Sequence, residues 1–103
     1  MTNRPTIIDE VAVKELELWV DNHPESYKLK KAVYGALDRK RTRGVYNSER
    51  AVQAFYNVAE YAAKSYAKIF NDSATAWFTT FTVATRREVA RILLAEYEEE
   101  VEG

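Results

Sequence analysis

The stretch YNSERAVQAFYNVAEYAAKSYAKIF, residues 46–70, predicts one long amphipathic helix and decides the fold class. Its apolar residues recur at spacings of three and four, so they share one stripe of a helix with about 3.6 residues per turn. The stripe consists of Val52, Phe55, Val58, Ala59, Ala62, Tyr66, Ile69 and Phe70. The opposite side is polar, with Arg50, Gln53, Asn57, Glu60, Lys64 and Lys68. We therefore expect a helix that packs one face on a core, and the stretch carries no catalytic motif.

The composition indicates a small folded domain rich in helix. The 103 residues are 47% hydrophobic and 30% charged, which is far from the composition of a disordered chain. Only three Gly and two Pro interrupt the sequence, so a turn-rich all-β architecture is not expected. We expect residues 1–103 to form one all-α domain, a compact bundle of about four helices, with residues 1–6 and 99–103 flexible.

Composition also bears on the compartment. The chain has no cysteine, which excludes a disulfide framework and a thiolate nucleophile. The opening MTNRPTIIDE has no apolar signal core, and no stretch approaches the roughly 18 apolar residues of a membrane span. We expect a cytoplasmic protein that makes no use of a membrane.

Two helices are predicted ahead of the long one. The first runs from about Asp9 to Asp21, although alternating apolar residues there also fit a half-buried strand. The second begins at Pro24 and ends near Arg43, where Gly44 fits a left-handed cap. Its buried side is predicted to contain Tyr27, Val33 or Tyr34, and Leu37.

The remaining elements follow from capping and turn residues. Asn47 is expected to cap the long helix, and residues 71–73 to form a turn after it. A last helix is expected to start near Thr82 or Thr85, with Thr85 and Glu88 as a capping box. Between them, a single helical turn that closes one end of the core is predicted from Trp77, Phe78 and Phe81.

Charge is distributed unevenly although the formal net charge is −1. Eight basic and three acidic residues lie between Pro24 and Arg50. From Glu88 to Gly103 the sign reverses, with six acidic residues and one arginine. Such a distribution is compatible with pairing between the two halves, with a head-to-tail dimer, with a patch for a charged partner, or with separate solvated faces.

Groups that carry out catalysis are sparse. His23, the one histidine, stands next to a proline in a predicted break and lacks the motifs of hydrolases, so we interpret it as a loop residue. Glu96, Glu99 and Glu100 share a helical side, but an acidic tail in water does not separate pKa values as acid–base catalysis requires. We predict no enzymatic activity, no cofactor and no bound metal.

Five short segments are spread over most of the chain. They are Glu15–Trp19, Gly44–Asn47, Ala62–Tyr66, Trp77 with Phe81, and Arg86–Leu93. Together they resemble a group of short uncharacterised proteins of bacteriophages and other mobile elements, with Arg41 where that group has a lysine. The resemblance implies a small accessory protein that binds a host or phage protein. Separately, we expect the chain to be a monomer or a homodimer.

Two kinds of interaction surface are predicted. Helices two and three fit a helix-turn-helix in which the long helix faces a nucleic-acid groove, basic residues contact phosphates, and Tyr34 and Tyr46 stack on bases. The candidate partner-binding residues are Arg39, Lys40, Arg41, Arg43, Tyr46, Arg50, Gln53 and Asn57. Candidate anchors for a protein partner, if they are exposed, are Tyr56, Tyr61, Trp77 and Tyr97, although core packing is the better explanation for most of them. We expect a protein partner, with nucleic acid as the alternative.

Overall fold

Helices account for the architecture. A computed structural model describes residues 9–70 and 80–102 of the chain. Its helices are α1 (Glu10–Asn22), α2 (Pro24–Thr42), α3 (Ser48–Phe70) and α4 (Val83–Glu102), and these ranges contain no strand. The prediction of an all-α bundle of about four helices is confirmed.

The start of α1 is fixed by a side-chain cap. The Asp9 carboxylate accepts hydrogen bonds from the backbone N–H groups of Val11 and Ala12, each at 3.1 Å. The helix then buries Ala12 and Leu16 on its inner face. The predicted helix is confirmed within one residue at each end, and the alternative of a half-buried strand is wrong.

A single residue, His23, joins α1 to α2. Its backbone is extended, its N–H donates to the Trp19 carbonyl at 2.8 Å, and its ring accepts from the Ser26 N–H at 3.4 Å. Its ring also stacks on the Trp19 indole with 4.9 Å between centroids. Pro24 occupies the first turn of α2, as predicted, because its missing N–H is not needed there. His23 therefore caps a helix, a structural role that its position in the sequence did not show.

The predicted inner face of α2 is confirmed at Tyr34 and Leu37 but not at Tyr27. Residues buried at spacings of four and three are Ser26, Lys30, Tyr34 and Leu37. Tyr27 stands one position outside this stripe and is 40% exposed, so its predicted burial is wrong. A lysine occupies a core-facing position instead.

The turn between α2 and α3 has the predicted geometry. Gly44 has a φ of 75°, a left-handed conformation that side chains with a Cβ rarely adopt. The Val45 N–H donates back to the Lys40 carbonyl at 2.9 Å, which closes the end of α2. The Asn47 side chain accepts from the Arg50 N–H at 3.1 Å, so the predicted cap of α3 is confirmed.

The core-facing stripe of α3 is rotated relative to the prediction. It consists of Ala51, Phe55, Val58, Ala59, Ala62, Ala63 and Ala67. Three alanines that the predicted stripe did not include, Ala51, Ala63 and Ala67, are buried. Their small side chains let neighbouring helices approach closely. Ile69 and Phe70 are 58% and 60% exposed, so the prediction that they face the core is wrong.

The last helix starts at Val83, which confirms the predicted start near Thr82, but its cap is not the predicted capping box. Thr82 precedes α4, and its hydroxyl oxygen lies 3.3 Å from the Thr85 N–H, which donates to it. Thr85 lies inside the helix and is 2% exposed, so a capping box built on Thr85 and Glu88 is wrong. Residues 99–102, expected to fray, are helical, and Val101 packs against the core.

The core runs along the length of the bundle. Its largest fully buried side chains are Tyr97, Phe55, Phe81, Leu16 and Leu93. Burial of Phe81 agrees with its predicted place in the core, whereas the predictions for residues 1–6, 71–73, 77, 78 and 103 lie outside the described residues. In the ranges 9–70 and 80–102, every helix is too short or too polar to cross a membrane.

Candidate macromolecule-binding surface

Five of the predicted partner-binding residues gather where α2 gives way to α3. We call Arg39, Lys40, Arg41, Arg43 and Arg50 the basic corner. The first three lie in the last turn of α2, Arg43 closes that helix, and Arg50 stands in the first turn of α3. All are exposed except Lys40, which is half-buried. The short Gly44 turn therefore joins two helix ends that both carry cations.

The cations of the basic corner form no ion pair with the rest of the described protein. Within residues 9–70 and 80–102, none of its five cations has a carboxylate oxygen within 4.0 Å. The dipole of α2 places partial negative charge at this end and offsets part of the repulsion. The remaining positive charge faces solvent and is available to an anionic partner.

Tyr46 is held beside the basic corner. Its hydroxyl donates to Glu98 of α4 at 2.7 Å, and the Arg41 guanidinium lies over its ring at 5.3 Å from the centroid. Burial, the hydrogen bond and the negative charge of Glu98 raise the pKa of Tyr46 to about 12. Tyr46 is thus brought to the predicted site, but its ring and hydroxyl already have partners.

The two predicted polar residues further along α3 lie on its outer face. Gln53 donates to the Asn57 side chain at 3.3 Å, and both side chains are exposed. With Arg50 they follow a helical spacing that presents them on one side. Tyr34 is not part of this surface, because it is only 8% exposed and packs on Phe55, so the prediction that it stacks on bases is wrong.

Lys30 behaves unlike the other cations of its segment. Its ammonium pairs with Asp21 of α1 at 2.8 Å and with Glu96 of α4 at 3.5 Å, while its side chain is 9% exposed. Burial lowers the pKa of Lys30, but the hydrogen bond and charge of Asp21 outweigh it, so the net shift is upward. Burial and the charge of Glu96 raise the pKa of nearby Glu17. We call Glu17, Asp21, Lys30 and Glu96 the Lys30 cluster, which joins α1, α2 and α4.

A second basic surface, which the sequence did not reveal, lies between α3 and α4. Here α3 and α4 are antiparallel, since Ser48 meets Glu98 at one end and Tyr56 meets Arg86 at the other. A groove of about 370 Å³ opens along this contact. Its lining consists of Val52, Gln53, Tyr56, Arg87, Ala90 and Arg91. The signal for it was the spacing of Arg87 and Arg91, which places two cations on one side of a helix.

Behind this groove lies a buried arginine. Arg86 is 5% exposed, donates from Nε to the Phe81 carbonyl at 3.0 Å and from Nη1 to the Tyr56 hydroxyl at 2.8 Å. Its guanidinium also lies over the Tyr56 ring, 5.5 Å from the centroid. Tyr56 is therefore fixed in orientation at the wall of the groove.

The other predicted anchors and acidic residues separate into core and surface. Tyr97 is 1% exposed and donates to Asp38 at 2.7 Å, so it belongs to the core, whereas Tyr61 is 37% exposed. Trp77 lies outside the described residues. Glu96 serves the Lys30 cluster, and within the described ranges no three His, Asp or Glu side chains gather in a way that could hold a metal ion.

Comparison of the chain with protein-family models, with curated proteins and with solved structures yields no match. The resemblance to phage and mobile-element proteins therefore stays a prediction.

Proposed function

We propose that this protein is a non-enzymatic binding module that attaches to an acidic surface of another protein through the basic corner. The observation that carries the proposal is the contrast between five clustered cations and the lack of any carboxylate partner for them in the described residues. Keeping like charges close together opposes folding, so an arrangement without internal partners fits recognition of an external anion.

The chemistry of the basic corner suits a protein partner. Arginine guanidinium groups bind carboxylates through paired hydrogen bonds, and four of the five cations are arginines. Exposed charges at the edge of an interface mainly accelerate association and select the partner. The basic corner then steers the encounter with an acidic surface, and shape complementarity beside it supplies the remaining affinity.

Two features disfavour a single-stranded nucleic acid as the partner. Tyr34 is buried and Tyr46 is engaged with Glu98 and Arg41, so neither tyrosine offers a free ring for stacking. The Glu98 carboxylate accepts from the Tyr46 hydroxyl at 2.7 Å and from the Ser48 hydroxyl at 3.3 Å, so both hydroxyl groups already have an acceptor and are not free to donate to a phosphate.

Duplex nucleic acid is the second candidate, favoured by one specific observation. Arg50, Gln53 and Asn57 follow one exposed side of α3 directly after the basic corner. Arginine and amide side chains on an exposed helix are the groups that read base edges in a major groove. Under this alternative, α3 is the recognition helix and the basic corner contacts phosphates.

The resemblance to phage and mobile-element proteins extends the proposal to the biological setting. We propose that the partner is a host or phage protein and that binding takes place in the cytoplasm of the host cell, with the chain acting as a monomer or homodimer. The phage or host origin of the partner rests on the resemblance, whereas the role of the basic corner rests on the positions and exposure of its residues.

A titration separates the two candidates. Purified wild-type protein is mixed with labelled duplex DNA, duplex RNA and single strands of mixed sequence at low and at physiological salt. Our proposal predicts no saturable binding at physiological salt. Binding that falls steeply with salt and is lost in Arg39→Gln with Arg43→Gln establishes the nucleic-acid function instead. The matched control, Lys14→Gln with Lys28→Gln, removes the same charge from exposed positions elsewhere.

A further inference from the structure

The groove between α3 and α4 is lined by both apolar and polar side chains. Val52 and Ala90 form an apolar part of the lining, whereas Gln53, Tyr56, Arg87 and Arg91 supply polar groups. Its volume of about 370 Å³ lies within the range of about 300–1,000 Å³ that ligand sites occupy. The combination fits a ligand that has both an apolar and a polar part.

The polar groups of the groove are mostly hydrogen-bond donors. Arg87 has no carboxylate within 4.0 Å among the described residues, and the Arg91 side chain remains 64% exposed although it pairs with Glu88 at 3.2 Å. The Tyr56 oxygen accepts from Arg86, so the hydroxyl proton is left to donate elsewhere. A site with a surplus of donors and positive charge recognises an acceptor that carries negative charge.

The groove adjoins the proposed binding surface. Gln53 lines the groove and also stands one helical turn after Arg50 of the basic corner, on the outer side of α3. A partner seated on the basic corner therefore reaches the groove without leaving α3.

We infer that the α3–α4 groove receives an acidic side chain, together with an apolar neighbour, from a peptide segment of the protein partner. Arg87 and Arg91 hold the carboxylate, the Tyr56 hydroxyl donates to it, and Val52 contacts the apolar side chain. This inference rests on the proposed function, because it locates the segment of the same partner that enters the groove. It adds a specific contact in the α3–α4 groove to the contacts that the partner makes with the basic corner.

The test uses peptide titration followed by nuclear magnetic resonance on isotope-labelled full-length protein. The probe is a peptide of repeated Leu-Glu-Glu triplets with both ends blocked, and its control is the same peptide with Gln in place of Glu. We expect the Glu peptide to shift amide signals of residues 52–56 and 87–91, and the Gln peptide to bind about tenfold more weakly. Arg87→Gln with Arg91→Gln is expected to weaken binding of the Glu peptide by a similar factor.

A charge-matched variant controls for the loss of positive charge. The positions of the shifted signals then distinguish binding in the groove from binding at the basic corner. Lys14→Gln with Lys28→Gln also removes two positive charges, from exposed positions outside the groove and the basic corner, and it is expected to leave the groove shifts in place. Shifts confined to residues 39–50 overturn the groove and retain the proposed function. No shift with the Glu peptide overturns the inference, and so does equal binding of the Gln peptide or the same shifts with inorganic phosphate. Circular dichroism confirms that each variant is folded.

Discussion

Lys30 and the basic corner come from the same stretch of sequence but use their charge in opposite ways. Lys30 lies on the inner stripe of α2, where Asp21 and Glu96 neutralise it. The basic corner lies beyond that stripe, at the end of α2 and the start of α3, and finds no carboxylate in the described residues. The comparison teaches that a local excess of basic residues does not define a binding surface until the internal partners are known.

The comparison also separates stability from recognition. A cation that joins three helices contributes to the free energy of unfolding, whereas solvated cations contribute little to it and are available to a partner. Substitutions at the two places should therefore affect different measurements.

The largest effect on stability is expected for Lys30→Gln. Removing the ammonium leaves the Asp21 and Glu96 carboxylates without their shared partner, and hydrogen-bonded charged groups contribute about 1.5–3 kcal/mol each. Since both carboxylates are partly exposed and can rehydrate, we expect the free energy of unfolding to fall by about 2 kcal/mol.

Urea denaturation followed by circular dichroism measures this change. Lys28→Gln is the matched control, because Lys28 is an exposed cation of the same helix, and it should change stability by less than about 0.5 kcal/mol. Equal losses in the two variants would remove the distinction between the buried cation and the exposed ones.

A smaller effect is expected for Tyr46→Phe. This variant deletes the 2.7 Å hydrogen bond from the Tyr46 hydroxyl to Glu98. That hydrogen bond attaches the turn between α2 and α3, next to the basic corner, to α4. We expect a loss of about 1 kcal/mol in the free energy of unfolding. Tyr61→Phe deletes a similar bond, of 3.0 Å to Glu25, but at an exposed position, and it should cost less. A larger loss for Tyr61→Phe would show that Tyr46 does not anchor the turn.

The free energy of unfolding is also expected to depend on pH because of Glu17, which belongs to the Lys30 cluster. Because the pKa of Glu17 is raised in the folded state, folding favours its protonated form. That contribution is fully present below the pKa of the unfolded chain and is lost as pH rises through the folded-state pKa. Ionised Glu17 therefore opposes folding at neutral pH, and Glu17→Gln is expected to raise the free energy of unfolding there.

The pH dependence of the difference between variant and wild type is the measurement that checks this sign. The gain from Glu17→Gln should shrink when the pH is lowered below the ordinary glutamate value of 4.5, whereas Glu99→Gln at an exposed position should show no such trend. A gain that persists unchanged at acid pH would mean that the charge of Glu17 is not its cause.

The smallest effect on stability is expected at the basic corner. Arg39→Gln with Arg43→Gln removes two exposed charges near the carbonyl end of α2, so the free energy of unfolding should change by less than about 1 kcal/mol. Thermal and urea denaturation of this double variant next to Lys30→Gln gives the comparison directly. A loss as large as that of Lys30→Gln would mean that the basic corner serves the fold.

The sequence predicted well those features that depend on one local rule. Pro24, Gly44 and Asn47 each act through backbone geometry or a cap, and the helix ends they predict are confirmed. The prediction of which residues of α3 face the core was less accurate. It selected the most hydrophobic residues at helical spacing, and therefore chose Ile69 and Phe70 rather than the alanines that are buried.

Features that need two or three helices could not be read from the sequence. The burial of Lys30 depends on carboxylates from α1 and α4, and the groove exists only where α3 and α4 meet. The basic corner was predicted because its residues are close in sequence, on either side of a short turn. Whether those cations had internal partners was decided by the fold.

The most direct test of the central claim is affinity capture from a bacterial lysate, carried out with and without nuclease treatment. Three baits are compared by quantitative mass spectrometry: wild type, Arg39→Gln with Arg43→Gln, and the control Lys14→Gln with Lys28→Gln. We predict that a discrete acidic protein is retained by the wild type and the control and lost from the variant of the basic corner. Capture of the same proteins by all three baits, or loss of the captured protein on nuclease treatment, would contradict the account.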